Sequence, residues 1–174
     1  MKPSSIIAAA EEVLLQGEAL LADVDPELYA ARAGEPFGAS SGQHYRHVLD
    51  HFLCLLAGMN SEAIDYDHRS RSKELETDIH EARRITKKLI QILKAFAPHT
   101  WNWACNVVYT VGYSEEGPSV IPSTLGRELA FCVSHSVHHY AIIRLLCAHL
   151  RVQVPSEFGV APSTLKYRLA QLAN

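Results

Sequence analysis

The 174-residue chain is 48% hydrophobic and 20% charged, with a formal net charge of -3 at pH 7, which is an ordinary composition for a globular protein. This length favours one domain, covering residues 1–174, with a core large enough to need no disulfide bonds. The slight acidity and the absence of a stripe of lysine and arginine predict that the protein does not bind nucleic acid.

The sequence also predicts no membrane partner and a cytoplasmic location. No apolar run is long enough to span a bilayer, and the apolar stretch 6–10 is followed at once by Glu11 and Glu12, which is too short for a signal core. The four cysteines form no CxxC pair and are interpreted as reduced residues of the core. They are Cys54, Cys105, Cys132 and Cys147.

Apolar residues at helical spacing predict a first helix over residues 5–22, followed by a loop over residues 23–39 that is rich in Asp, Pro, Gly and Ala. Ser40 is the predicted N-cap of the second helix, and Gln43, three residues later, completes a capping box. This second helix is predicted to end near Gly58.

The polar segment 60–77 is predicted to be a long surface connection to a third helix, which begins at Thr77–Asp78 and ends before Pro98. The aromatic and β-branched stretch 101–121 predicts a small β-hairpin or extended excursion. A fourth helix is predicted over residues 122–150 and a short last helix from Pro162. The fold class is therefore mainly all-α, a four-helix bundle whose core suits a metal site built from facing helices.

The second helix carries the first of two histidine clusters, in the stretch GQHYRHVLDHF. At about 100° per residue, His44, His47 and His51 share one narrow sector of the helix. That sector lies beside the apolar arc of Val48 and Phe52, at the edge of the buried face.

The second cluster is SHSVHHY in the fourth helix. His135 and His139 are four residues apart, so they share a face and are able to chelate one ion. Cys132 lies on this face, Glu128 projects from the same side, and His138 is predicted to sit at its margin.

Buried imidazoles need hydrogen bonds or an ion, so the two clusters indicate a metal site or, as the alternative, a hydrogen-bonded polar core. Three neutral imidazoles suit Zn, Ni, Cu or Fe and leave a position open for water or substrate. A histidine-rich di-iron bundle is a weaker interpretation, because the chain has no ExxH motif and only Asp50 and Glu128 are candidate bridging carboxylates.

The stretch SSGQHYRHVLDHF, of the form SxGQxxxH, together with the later HxxxH of SHSVHHY, resembles the DinB-like superfamily over almost the whole chain. The resemblance implies a homodimeric bundle with one divalent ion, often zinc or nickel, held by His47, His135 and His139. It also implies, for some relatives, a transferase or isomerase activity that uses a low-molecular-weight thiol such as bacillithiol or mycothiol.

Extra histidines depart from the plain family pattern. His51 is a candidate replacement or fourth ligand, and His44, His138 and Glu128 are candidates for an additional ligand or for groups that orient the ligands. Arg127 and Glu128 either line the mouth of the pocket or are ordinary charges of a first helical turn. Two hypotheses stay open: a metal-dependent thiol S-transferase, and a non-catalytic bundle that serves structure, metal storage or stress sensing.

Overall fold

The computed structural model describes residues 4–35, 37–113 and 117–172, and the protein is mainly helical, as predicted. The helices are α1 (Ser4–Asp23), α2 (Pro26–Ala30), α3 (Ser41–Gly58), α4 (Lys73–Thr77), α5 (Ile79–Ala95), α6 (Leu125–His149) and α7 (Pro162–Leu172). The strands are β1 (Ile64–Asp65), β2 (Ala104–Tyr109) and β3 (Ser119–Thr124), and a short 3-10 helix covers Pro98–Asn102.

Side-chain caps fix where the site-bearing helix and its neighbour begin. The Ser40 hydroxyl accepts from the Gln43 backbone amide at 3.1 Å, and the Gln43 side chain accepts from the Ser40 amide at 3.1 Å. This confirms the predicted capping box, which satisfies two amides that the first turn of α3 leaves without helical partners. The Asp78 side chain caps α5 by accepting from the backbone amides of His80 and Glu81.

The four long helices pack around one core, in which α1 and α3 each contact both α5 and α6. Leu14, Leu49, Leu89 and Leu129, one from each of these helices, are at most 1% exposed. Removing such side chains from water stabilises the fold by about 1.5 to 3 kcal/mol each.

Two stacked tyrosines connect all four helices through polar bonds inside this core. The rings of Tyr45 on α3 and Tyr140 on α6 are parallel, with centroids 6.1 Å apart. The Tyr45 hydroxyl bonds to Thr86 Oγ1 on α5 at 2.9 Å, and the Tyr140 hydroxyl donates to the Val13 carbonyl on α1 at 3.1 Å. Each buried phenol therefore has a partner, and α3 is held in a fixed position against α6.

A three-stranded sheet covers the N-terminal end of α6. Strands β2 and β3 form an antiparallel hairpin with Val107 opposite Ile121, which confirms the predicted hairpin. Strand β1 pairs with β2 in parallel, with Ile64 opposite Val107, and was not predicted.

The prediction of plain loops at 23–39 and 60–77 was wrong. The first contains α2, whose buried Tyr29 donates to the Leu75 carbonyl at 2.6 Å, and the second contains β1 and α4. Ile64, Tyr66 and Leu75 are each at most 5% exposed. Isolated apolar residues in a polar stretch give no periodic signal, and only contacts with distant parts of the chain bury them.

The predicted start of the fourth helix at residue 122 was also wrong. Pro122 and Ser123 belong to β3, and α6 begins at Leu125 after the N-cap Thr124, whose hydroxyl accepts from the Arg127 amide. Pairing with β2 outweighs the local preference of this Pro-Ser-Thr triplet for a helix start.

All four cysteines are free; Cys132 and Cys147 are buried, and Cys54 and Cys105 are half-buried. Among the described helices, none combines the length and the apolar character that crossing a membrane requires.

Candidate metal centre

Helices α3 and α6 bring the two histidine clusters together. His47 Nε2 and His135 Nε2 lie 3.0 Å apart, and His139, one turn further along α6, completes a group of three. One candidate ligand atom from each residue lies within 4.8 Å of the others. The structure therefore brings together the three histidines that the sequence predicts as metal ligands.

Burial keeps these imidazoles neutral at neutral pH. It lowers the pKa of His47 to about 2, that of His139 to about 3 and that of His135 to about 4. The charges of neighbouring histidines lower each pKa further. A neutral imidazole has one ring nitrogen free to accept a proton, a hydrogen bond or a metal ion.

The spacing of the histidines fits a metal ion. Two nitrogen ligands that are each about 2.0 to 2.1 Å from one ion lie about 2.8 to 3.4 Å apart in octahedral or tetrahedral coordination. The 3.0 Å between His47 Nε2 and His135 Nε2 falls in this range. Without an ion, one of these two nitrogens must carry a proton to avoid two opposed lone pairs.

His44 supports His139 from behind. The two Nδ1 atoms lie 2.9 Å apart, so one of them carries the proton that joins them. If Nε2 of His139 binds an ion, its proton lies on Nδ1 and is donated to His44, which fixes the orientation of the ring. His138 is exposed, with its ring centroid 5.1 Å from that of His139, and so lies at the margin, as predicted.

His51 lies beside the three histidines but outside the group. Its Nδ1 donates to the His47 carbonyl at 2.8 Å, because a carbonyl can only accept, and burial lowers its pKa to about 4. The ring, only 3% exposed, stacks on Tyr66 with centroids 5.3 Å apart and lies 4.2 Å from the ring of His135. It packs against a candidate ligand and is held by its own helix.

The match to known families covers both clusters: residues 13–143 match the DinB superfamily. The chain belongs to the DinB superfamily. It is also similar to a protein named FK506-binding protein 5 from Rhizopus delemar, with 33% identity over 104 residues. The matched part is 60% of this chain and 27% of that relative, so the similarity concerns only about a quarter of the relative. No solved structure matches the chain significantly.

The carboxylates that a di-iron site would need have other partners in this DinB-superfamily protein. Asp50 is 1% exposed, pairs with Arg46 at 2.9 Å and accepts from Ser70 at 3.3 Å, so it does not orient a histidine. Glu128 is 3% exposed and accepts from the Ser123 hydroxyl at 2.5 Å. Neither belongs to the three-residue group found among the described residues.

A cavity of about 260 Å³ adjoins the histidines, between the sheet and the first turns of α6. Phe131 connects the cavity to the histidines, since it lines the cavity and its ring stacks on His135 with centroids 5.4 Å apart. Arg127 and Glu128 line the cavity, and Arg127 Nη1 lies 3.4 Å from Glu128 Oε1. Most of the remaining wall is apolar: Tyr66, Val107, Tyr109, Val111, Ile121 and Pro122.

Arg69 is a neighbour of the site that sequence reasoning missed. Its positive charge adds to the effect of burial in lowering the pKa of His47, His51 and His135. It belongs to the segment 60–77, which the sequence predicts as a surface connection, so no local pattern marks it. The remaining histidines of this DinB-superfamily protein are exposed, as predicted: His68, His80, His99 and His149.

Proposed function

We propose that the protein binds one divalent transition metal ion and acts as a metal-dependent transferase that uses a low-molecular-weight thiol. The observation that carries the proposal is the group formed by His47, His135 and His139, with candidate ligand atoms within 4.8 Å of one another. Membership of the DinB superfamily supports it. Zinc and nickel are the proposed ions, and iron is a further candidate that imidazole ligands also suit.

A divalent ion in such a site lowers the pKa of a thiol that binds to it, so that the thiolate is available at neutral pH. The protein's own part is to keep three imidazoles neutral by burial and to hold them on two packed helices. His44 orients His139, and the rings of Tyr66 and Phe131 keep water from one side of the site.

The adjoining cavity supports a transferase over a closed storage site. Its aromatic and aliphatic wall suits the apolar body of an acceptor molecule bound beside the histidines. In the proposed transfer a carbon–sulfur bond forms, the leaving group departs with its electron pair, and the thiol proton passes to solvent.

The number of protein ligands separates this proposal from the non-catalytic alternative. Three histidines leave a coordination position open, whereas a structural site has four protein ligands. His51 is not among the residues whose candidate ligand atoms lie together, which supports three. A homodimer and a cytoplasmic location complete the proposal, and sedimentation of the purified protein tests the first of these.

Metal analysis of protein purified without a His-tag tests the metal site directly. After reconstitution with Zn(II) or Ni(II) and removal of free ion, we expect about one ion per chain. His80→Ala, which removes an exposed histidine of α5, is the matched control and should keep this content. Only traces of metal in the unsubstituted protein would refute the proposal.

Thiol transfer to 1-chloro-2,4-dinitrobenzene, followed as chloride release, then tests catalysis with a panel of low-molecular-weight thiols. Full metal content together with four protein ligands and no exchangeable water would instead favour the non-catalytic bundle.

A further inference from the structure

Arg69 offers an unused hydrogen-bond donor beside the candidate metal centre. It lies between β1 and α4, and its Nη1 donates to the carbonyl of Tyr66, the residue whose ring stacks on His51. Its Nε is buried and has no acceptor among the residues that the structure describes. An arginine donor left without an acceptor is unusual, because burial without a hydrogen bond costs free energy.

Three aspartates near Arg69, two in the sequence and one that contacts the adjacent Ser70, are engaged by other groups. Asp65 pairs with His68 at 2.7 Å, Asp67 accepts from the Thr110 hydroxyl at 2.7 Å, and the buried Asp50 pairs with Arg46. Within the described ranges, none of the ion pairs involves Arg69. Its charge is therefore not neutralised by the fold.

The same charge reaches the histidines. It acts on His47 and His135, two of the three candidate ligands, and on His51 between them. The contacts agree with this, because Arg69 donates to the Tyr66 carbonyl, the Tyr66 ring stacks on His51, and the ring centroids of His51 and His135 lie 4.2 Å apart. The candidate ligands are neutral imidazoles, so a bound divalent ion and Arg69 together make this region strongly positive.

We propose that Arg69 is a positioning residue that binds the carboxylate of the small molecule held at His47, His135 and His139. The thiol that the protein uses would accordingly be a mercapto-carboxylate. Arginine suits this role because its planar fork matches the two oxygens of a carboxylate. This inference rests on the proposed function, since it concerns the ligand of the same metal site.

The test compares two thiols of equal length on the Co(II)-loaded protein: 3-mercaptopropionate and the neutral 3-mercapto-1-propanol. Dissociation constants follow from the thiolate-to-Co(II) charge-transfer absorption. We expect the acid to bind about tenfold or more tightly than the alcohol, the contribution of a hydrogen bond between charged groups. If the carboxylate binds the ion directly, the preference for the acid persists in the Arg69 variants. Comparison with these variants therefore measures the part of the preference that depends on Arg69.

In Arg69→Gln the preference for the acid should fall about tenfold, while the alcohol binds as before. Arg71→Gln, which removes an exposed arginine two residues away, is the matched control and should keep the preference. Arg69→Lys keeps the charge without the fork and should reduce the preference at least in part; it carries the test if Arg69→Gln does not fold.

The outcomes separate the two proposals. Failure of the unsubstituted protein to bind Co(II) would overturn the proposed metal site. Stoichiometric Co(II) binding with a preference for the acid that is unchanged in the folded Arg69 variants would overturn the role of Arg69 alone.

Discussion

Replacement of His44 by alanine tests whether the contact behind His139 matters for metal binding. His44 is not one of the three candidate ligands, but its Nδ1 lies 2.9 Å from Nδ1 of His139. Removing it leaves His139 free to rotate about its side-chain bonds and to exchange its ring proton between the two nitrogens. Both changes lower the fraction of protein whose His139 is ready to bind an ion.

The size of the effect follows from the nature of the contact. Loss of a partner that orients a metal ligand typically costs 10- to 100-fold in metal affinity, which is about 1.4 to 2.7 kcal/mol. Loss of the ligand itself should cost more. Because His44 is only half-buried, its replacement should change the free energy of unfolding of the metal-free protein by less than this.

Competition between the protein and a zinc-binding dye measures the affinity. His138→Ala is the matched control, since His138 is exposed and lies next to His139 in the same helix. We expect a loss of about 10- to 100-fold for His44→Ala and almost none for His138→Ala. Equal losses in the two variants, or no loss in either, would refute the orienting role of His44.

Further predictions concern the ligands, the pH response and the fold. His135→Ala should lower metal occupancy far more than His138→Ala, as measured by elemental analysis; equal losses would show that the ligand assignment is wrong. The pKa of each clustered histidine is lower in the folded protein than the ordinary 6.5. Protonation of these rings therefore does not oppose folding above pH 6.5, and the free energy of unfolding of the metal-free protein should decrease as the pH falls from 6.5 toward 4. Urea unfolding at several pH values measures this decrease. Each ring contributes at most about 1.4 kcal/mol per pH unit, and less where water screens its charge. A free energy of unfolding that does not change over this pH range would contradict the prediction. Ser40→Ala should cost about 1 kcal/mol of unfolding free energy through loss of the capping box, whereas a cost near zero would mean that water replaces the cap. Gly42→Ala should lower the melting temperature strongly, because a Cβ there would overlap a backbone carbonyl of α4; Gly34→Ala, in open space, is its control, and equal melting temperatures would contradict the close approach.

The long helices and the candidate metal site were predictable from local patterns in the sequence. Ser40 and Asp78 have side chains that cap helices through neighbouring amides, so their effect is visible in a few residues of sequence. His135 and His139 share a face by helical geometry alone, and His47 faces them because the apolar arcs of both helices point to one core.

Features that depend on distant contacts were not predictable in this way. Strand β1 is two residues long and exists through its pairing with Val107 and Val108 in β2. The bond between His44 and His139 depends on the relative rotation of α3 and α6, which the stacking of Tyr45 on Tyr140 helps to set. Arg69 acquires its place near the histidines only once β1 has joined the sheet.

The sheet order β1–β2–β3 leaves β3 as an outer strand with Val120 65% exposed, which is the kind of edge on which chains aggregate. Pro122 within that strand has no N–H to offer, so an added strand could not form an unbroken ladder there. The opposite edge, β1, is only two residues long. Both edges thus oppose strand-by-strand association, and the proposed homodimer is expected to form through helix surfaces.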